Sequence, residues 1–276
     1  MARLETARPL KVGVVKFASC DGCQLALLGV GPLLLDLGAY FEIVEFGEAS
    51  SNRSSGPYDL LLVEGSISTI EQAHHIRDLR GRTTLLVTIG ACATSGGIQA
   101  LRGWATGEDI VAGIYPRPEE IATLTTATPI AEHVTVDAEL RGCPIDSGQL
   151  LELLTALSMG RRPQLPDESV CATCKRLGRV CVVVAYGEPC LGPVTQTGCG
   201  ALCPAYSRGC YGCFGPREKA NVEGLAADLA ARGLDGAEIA RRFAGFTGWA
   251  PDFRAAITAR GGPPGFRTEA GHGKDA

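Results

Sequence analysis

Long basic runs are missing from this 276-residue chain, and its formal net charge is only −4. A nucleic-acid or acidic-lipid partner is therefore not indicated. Long apolar runs are missing too. The longest, Leu25 to Leu35, is interrupted by Gly29, Gly31 and Pro32 and stops at Asp36, too short to span a bilayer. The opening MARLETARPL carries no apolar signal core, which predicts a soluble, cytoplasmic protein. No GxGxxG follows a strand pattern and no Walker A pattern occurs, so nucleotide binding by this chain has no support.

Cysteine is what abounds, with twelve in the chain. In a reducing compartment thiols stay free, and cysteines at CxxC spacing more often hold metal than form disulfides. Twelve is three sets of four, and four thiolates satisfy one iron–sulfur cluster or one zinc ion.

The first half alternates strand and helix patterns, which predicts an α/β fold around a parallel sheet. Strands are expected at Leu10–Phe17, Phe41–Phe46 (an outer strand), Tyr58–Val63, Thr84–Ile89 and His133–Val136. Helices are expected over Cys23–Leu37, kinked or ended by Pro32, over Thr69–Leu79 with Ser68 as cap and Glu71 completing the capping pattern, and over Gln149–Leu157. Cys20, Glu64, Cys92 and Cys143 each follow one of the first-half strand patterns. In an open parallel sheet those carboxyl ends share one crevice, so residues far apart in sequence can meet there. Glycines crowd the same loops (Gly22, Gly65, Gly90, Gly96, Gly97, Gly142), where they let backbone approach a bulky group and aim N–H donors at it. For Glu64 two readings stand level: a solvated carboxylate, or a proton or hydrogen-bond site beside the group held by the cysteines. His74 and His75 fall on the expected Thr69–Leu79 helix as surface or packing residues.

After Arg162 the texture changes. A proline-containing linker leads to Cys171–Cys213, which packs eight cysteines into 43 residues with faint periodicity. Such a segment builds little apolar core, so metal must supply part of its folding energy. Residues 217–246 read as helical, broken at Gly233 and Asp235, and the Gly/Pro-rich tail from Gly261 reads as mobile. The competing reading of the CATC and CYGC pairs is structural zinc in an interaction protein. The competing readings of the first half are inert buried thiols, or a dithiol redox pair at CDGC.

The ordered motifs CDGC (20–23), VEGSI (63–67), GACATSGG (90–97) and GCPID (142–146), with PCLGPVTQTGCGALCPAYSRGCYGCFG (189–215), resemble the small, electron-transfer subunit of nickel–iron hydrogenases. The likeness spans roughly Leu10 to Gly215 and is greatest to the cytoplasmic, NAD(P)-coupled, sulfhydrogenase delta type. It implies a flavodoxin-like domain (1–162) with a proximal 4Fe–4S cluster on Cys20, Cys23, Cys92 and Cys143. It also implies a small, irregular and helical iron–sulfur domain (163–276) with two further clusters. Cys171, Cys174, Cys181 and Cys190 would hold the distal 4Fe–4S cluster, and Cys199, Cys203, Cys210 and Cys213 the medial one. Two departures matter. Cys171 stands where exported members have histidine, and Cys203 adds a fourth medial thiol, which implies a 4Fe–4S rather than a 3Fe–4S cluster. The family's nickel site lies in a separate large subunit, so this chain has no catalytic residue of its own beyond the open case of Glu64. The implied partners are that large subunit and iron–sulfur and flavin/NAD(P)-binding diaphorase-type subunits. The alternative is a relay in a quinone- or ferredoxin-linked oxidoreductase.

Overall fold

The computed structural model describes residues 8–105 and 107–266. Strands β1 (Leu10–Lys16), β2 (Phe41–Phe46), β3 (Tyr58–Glu64), β4 (Thr83–Ile89) and β5 (Ala138–Leu140) pair in parallel in the order β2-β1-β3-β4-β5. That is the flavodoxin-like order, and its switch point lies between β1 and β3. The expected outer strand is indeed an edge. The sheet is covered on both sides because alternate residues of the inner strands face opposite ways. Val12, Val14, Leu60, Leu62, Leu85 and Val87 pack against Leu27 and the leucines of residues 150–157. On the other face Leu61, Val63 and Leu86 meet Ala73, Ile76 and Leu79.

The helices of the first half are α1 (Gly22–Leu28), α2 (Pro32–Asp36), α3 (Ile70–Gly81), α4 (Gly90–Ser95), α5 (Gly107–Ile114) and α6 (Ser147–Ser158). Pro32 begins α2 after a break, as its missing N–H and fixed φ favour. The start of α3 corrects the expected cap. Thr69, not Ser68, accepts from the Gln72 N–H at 3.2 Å, and the Gln72 side chain accepts from the Thr69 N–H, so Gln72 rather than Glu71 closes the box. His74 and His75 are exposed on α3. The last strand also differs. His133–Val136 follows a 3₁₀ turn, Val134 and Val136 pack on the α3 side of the sheet, and pairing with β4 starts only at Ala138. The alternation of that segment thus reflects burial without ladder pairing.

Residues 161–168 run without regular structure into α7 (Val170–Arg176), α8 (Val182–Tyr186) and α9 (Leu202–Ala205), short helices among the eight late cysteines. Then come α10 (Val222–Ala231), α11 (Gly236–Phe243) and α12 (Pro251–Ala259), with the expected break at Gly233–Asp235. These three helices bury Leu229, Phe243, Phe253 and Ile257 together with Ala100 of the first half. The start of the tail is not loose. Phe266 is fully buried against Trp249 and beside Gly103, which anchors Gly261–Phe266; residues 267–276 lie outside the described residues.

Candidate functional site

The carboxyl end of β1 leads directly to Cys20, and α1 carries Cys23. Glu64 ends β3 on the other side of the switch point. It is 1% exposed, accepts from the Cys23 N–H at 3.2 Å and takes the Gln24 side-chain amide at 2.9 Å. The solvated reading of Glu64 therefore fails, and its carboxylate anchors the first turn of α1. Gln24, equally buried, was not legible in sequence because glutamine in an apolar helix reads as a surface residue.

Cys92 sits on α4 after β4, and Cys143 follows β5. Burial, then Glu64, then Cys92 and Cys143 push the Cys23 thiol far above its ordinary range. Burial pushes Cys92 up to about 12, helped by Cys143, Cys20 and Glu64. Burial raises Cys143 too, and Cys20 and Glu64 add to it. Cys20, Cys143 and Glu64 act on the other thiols of the crevice, so it brings all four thiols and Glu64 into one electrostatic neighbourhood. The Gln99 side chain acts on the Cys92 thiol in the opposite sense. No spacing rule pointed to Gln99.

Two glycines make room for these sulfurs. A Cβ on Gly90 would lie 2.3 Å from the Cys23 sulfur, and one on Gly97 would lie 2.5 Å from that of Cys92. Gly65 and Gly96 serve otherwise. The first lets the end of β3 lie against the Phe17 backbone, and the second clears Trp249.

The late cysteines form a continuation. Cys174 is raised by burial and by Cys171, Cys190 and Cys181. Cys203 is raised by burial, Cys199 and Cys190, and burial lifts Cys213 to about 12 with help from Cys199, Cys143 and Cys203. Cys210, buried, is pushed up chiefly by desolvation. The neighbourhoods touch at two places. Cys143 lies close enough to Cys213 to act on its thiol, and the Cys210 N–H donates to the Cys190 sulfur at 3.2 Å.

Further amides donate to sulfur from Gly192 to Cys190 (3.4 Å) and from Gly212 to Cys210 (3.4 Å), and the backbones of Ile145 and Tyr211 hold the Cys23 and Cys203 thiols down against burial. Such donors stabilise thiolates that bind iron. Among the described residues no three His, Cys, Asp or Glu side chains converge as ligands of a single metal ion. Zinc would draw four sulfurs to about 2.3 Å from one centre. A multi-iron cluster sets its thiolates farther apart. The donor set, the amides and the space cleared by Gly90 and Gly97 fit iron–sulfur clusters better than single zinc ions.

No described helix is long and apolar enough to cross a membrane.

Known proteins agree with this picture. The family model described as NADH ubiquinone oxidoreductase, 20 Kd subunit, matches residues 20–157, which include β2 to β5 and the four crevice cysteines. The chain is 36% identical over 240 residues to sulfhydrogenase 2 subunit delta of Pyrococcus furiosus, covering 87% of this chain and all of that one. It is 27% identical over 173 residues to the NAD-reducing hydrogenase HoxS subunit delta of Cupriavidus necator, over 57% of this chain and 83% of the relative. A chain in a crystal structure of an NAD+-reducing [NiFe]-hydrogenase superposes with a TM-score of 0.53 at 27% identity, covering 58% of this chain and 96% of that chain. With the crevice, the sheet order and a relative matched along its whole length, the chain belongs to the NADH ubiquinone oxidoreductase 20 Kd subunit family, on the branch of the small subunits of nickel–iron hydrogenases.

Proposed function

We propose that this chain is the iron–sulfur relay subunit of a cytoplasmic nickel–iron hydrogenase. It would pass electrons between the hydrogen-splitting site of a large subunit and an NAD(P)-linked acceptor subunit. The observation that carries the reading is the chain of sulfur contacts, from the crevice through Cys143 and Cys213, then through Cys210 to Cys190. In this reading Cys20, Cys23, Cys92 and Cys143 hold a proximal 4Fe–4S cluster. Cys199, Cys203, Cys210 and Cys213 hold a medial one, and Cys171, Cys174, Cys181 and Cys190 a distal one. The division into a flavodoxin-like domain to residue 162 and a cluster domain after it belongs to the same proposal.

Such clusters supply one-electron carriage at potentials tuned by charge, hydrogen bonds and exposure. The chain's own part is to fix and insulate the thiolates. Burial makes bare thiolates at Cys23, Cys92 and Cys213 unfavourable, so binding to iron is what lets them ionise there. Amide N–H groups then compensate the sulfur charge. The fourth medial thiolate, Cys203, adds negative charge, which lowers the potential and suits exchange with nicotinamide couples. Glu64 holds Cys23 in place through its N–H.

The test is elemental analysis of the complex purified without oxygen. About twelve irons and about twelve sulfides on this chain, with nickel confined to a larger co-purifying chain, are expected. Stoichiometric zinc without sulfide overturns the relay and leaves a structural or binding protein.

A further inference from the structure

The turn after α4 carries a polar side chain back to the crevice. Gly96, left-handed at φ +80, ends α4 with its N–H on the Cys92 carbonyl at 3.1 Å. Gly97, at φ +65, reverses the chain into the 3₁₀ segment Ile98–Trp104. In that segment Ala100 is buried in the core of the last three helices, and Ile98 is exposed. Gln99, between them, lies beside the Cys92 sulfur. A Cβ on Gly97 would meet both groups at once, Cys92 Sγ at 2.5 Å and Gln99 Oε1 at 2.7 Å.

The Gln99 carboxamide has one idle end. Its Oε1 is buried and, among the described residues, accepts no hydrogen bond. A buried amide in that state costs free energy, which a well-used N–H end can offset. Burial, Cys143, Cys20 and Glu64 disfavour a thiolate at Cys92, whereas the Gln99 side chain favours one. That is the sense an N–H donor gives and a carbonyl oxygen does not. At Cys190 and Cys210 backbone N–H groups do this work. A backbone donor comes with the fold. A side-chain donor can be exchanged while the fold stays.

We propose that Gln99 sets the reduction potential of the group held at Cys92, by turning its side-chain N–H towards that sulfur. The inference rests on the relay reading and deepens it, since it names the residue that tunes the first electron stop. An iron–sulfur cluster gains one negative charge on reduction, shared with its thiolate sulfurs. A donor at such a sulfur therefore stabilises the reduced form more than the oxidised form and raises the potential. Gln99 itself holds no iron and moves no proton.

The experiment uses the intact complex, prepared without oxygen, with reduction followed by electron paramagnetic resonance as the potential is stepped. Gln99→Leu removes the donor and keeps an apolar body of similar bulk. Gln99→Glu keeps the shape and puts a charged acceptor in place of the donor. In Gln99→Leu the equilibrium constant for reducing the crevice cluster should fall about tenfold, a drop of about 59 mV for one electron. Gln99→Glu should drop further, through its added charge. The midpoints of the two other clusters, and iron and sulfide content, should stay at wild-type values. A second measurement needs no variant to assemble. Wild type labelled with nitrogen-15 in its glutamine side-chain amides should show, by pulsed resonance, a nitrogen coupled to the reduced crevice cluster, and Gln99→Glu should lack it. An unchanged midpoint in Gln99→Leu at full iron content overturns the proposal. So does wild type without that nitrogen coupling, which decides the matter even where the variants hold no iron. Failure of the relay reading would look different, as wild type lacking iron and sulfide.

Discussion

Gly90 shows how one residue can decide whether the crevice sulfurs have room. Its φ is +83, and a Cβ placed on it would sit 2.3 Å from the Cys23 sulfur. Alanine there costs about 1–2 kcal/mol in backbone conformation alone. The steric conflict is worse, because Cys23 is pinned by Glu64 through its N–H and cannot retreat. On the proposed three-cluster reading, Gly90→Ala should therefore lose about four irons per chain while the late cysteines keep theirs. Iron analysis together with electron paramagnetic resonance of the reduced protein checks this. Gly38→Ala is the control, since a Cβ there meets nothing within 4 Å, and it should keep full iron content. Full iron in Gly90→Ala would mean that the crevice is looser than its packing indicates.

Among the elements, α6 and the segment after it are joined by a clip. Glu152 on α6 accepts both Arg161 nitrogens, at 2.6 and 2.8 Å, and the Gln164 N–H at 2.7 Å. The Arg161 hydrogen bonds, then that of Gln164, hold the Glu152 carboxyl down to about 2. Its folded-state pKa lies below its unfolded value, so the clip contributes fully above the ordinary carboxylate range and is lost as pH falls towards about 2. Hydrogen exchange of the peptide containing Gln164 should show protection in wild type and not in Glu152→Gln near neutral pH. The difference should shrink steadily below about pH 4. Visible absorbance would report any acid loss of clusters separately. This clip was not legible in sequence, because its partners are set by how a loop folds back, not by a helical spacing. The strands Tyr58–Glu64 and Thr83–Ile89 were legible, because both faces of the sheet are covered and leave continuous apolar runs. Placing Cys20, Cys92 and Cys143 after strands was enough to foresee that they meet at one edge. The short β5 was misplaced because Val134 and Val136 alternate without pairing. Helix α12 and the anchoring of Phe266 went unread, since their partners, Ala100 and Gly103, lie some 150 residues earlier.

For the whole molecule, the proposed relay makes the middle group of cysteines necessary to transport but not to hydrogen splitting. The crevice thiols reach the late cysteines through Cys143 and Cys213, and Cys190 is reached through Cys210. Cys199 and Cys203 are the members of the middle group that make neither of those bridging contacts, so changing both would remove the proposed medial cluster while leaving the bridges in place. The double variant Cys199→Ala and Cys203→Ala, in the assembled complex, should lose about four irons. On the proposed reading, exchange between H2 and deuterated solvent happens at the large subunit, and it should stay near the wild-type rate. Reduction of an acceptor that docks at the far end should fall by more than about tenfold, because the electron then has no intermediate stop. Mass spectrometry of the exchanged gas and an acceptor assay on the same sample separate the two. Parallel loss of both would point to a collapsed structure, which far-ultraviolet circular dichroism would reveal. Unchanged acceptor reduction would mean that electrons leave from the crevice directly, and the late cysteines would then serve the fold and not the current.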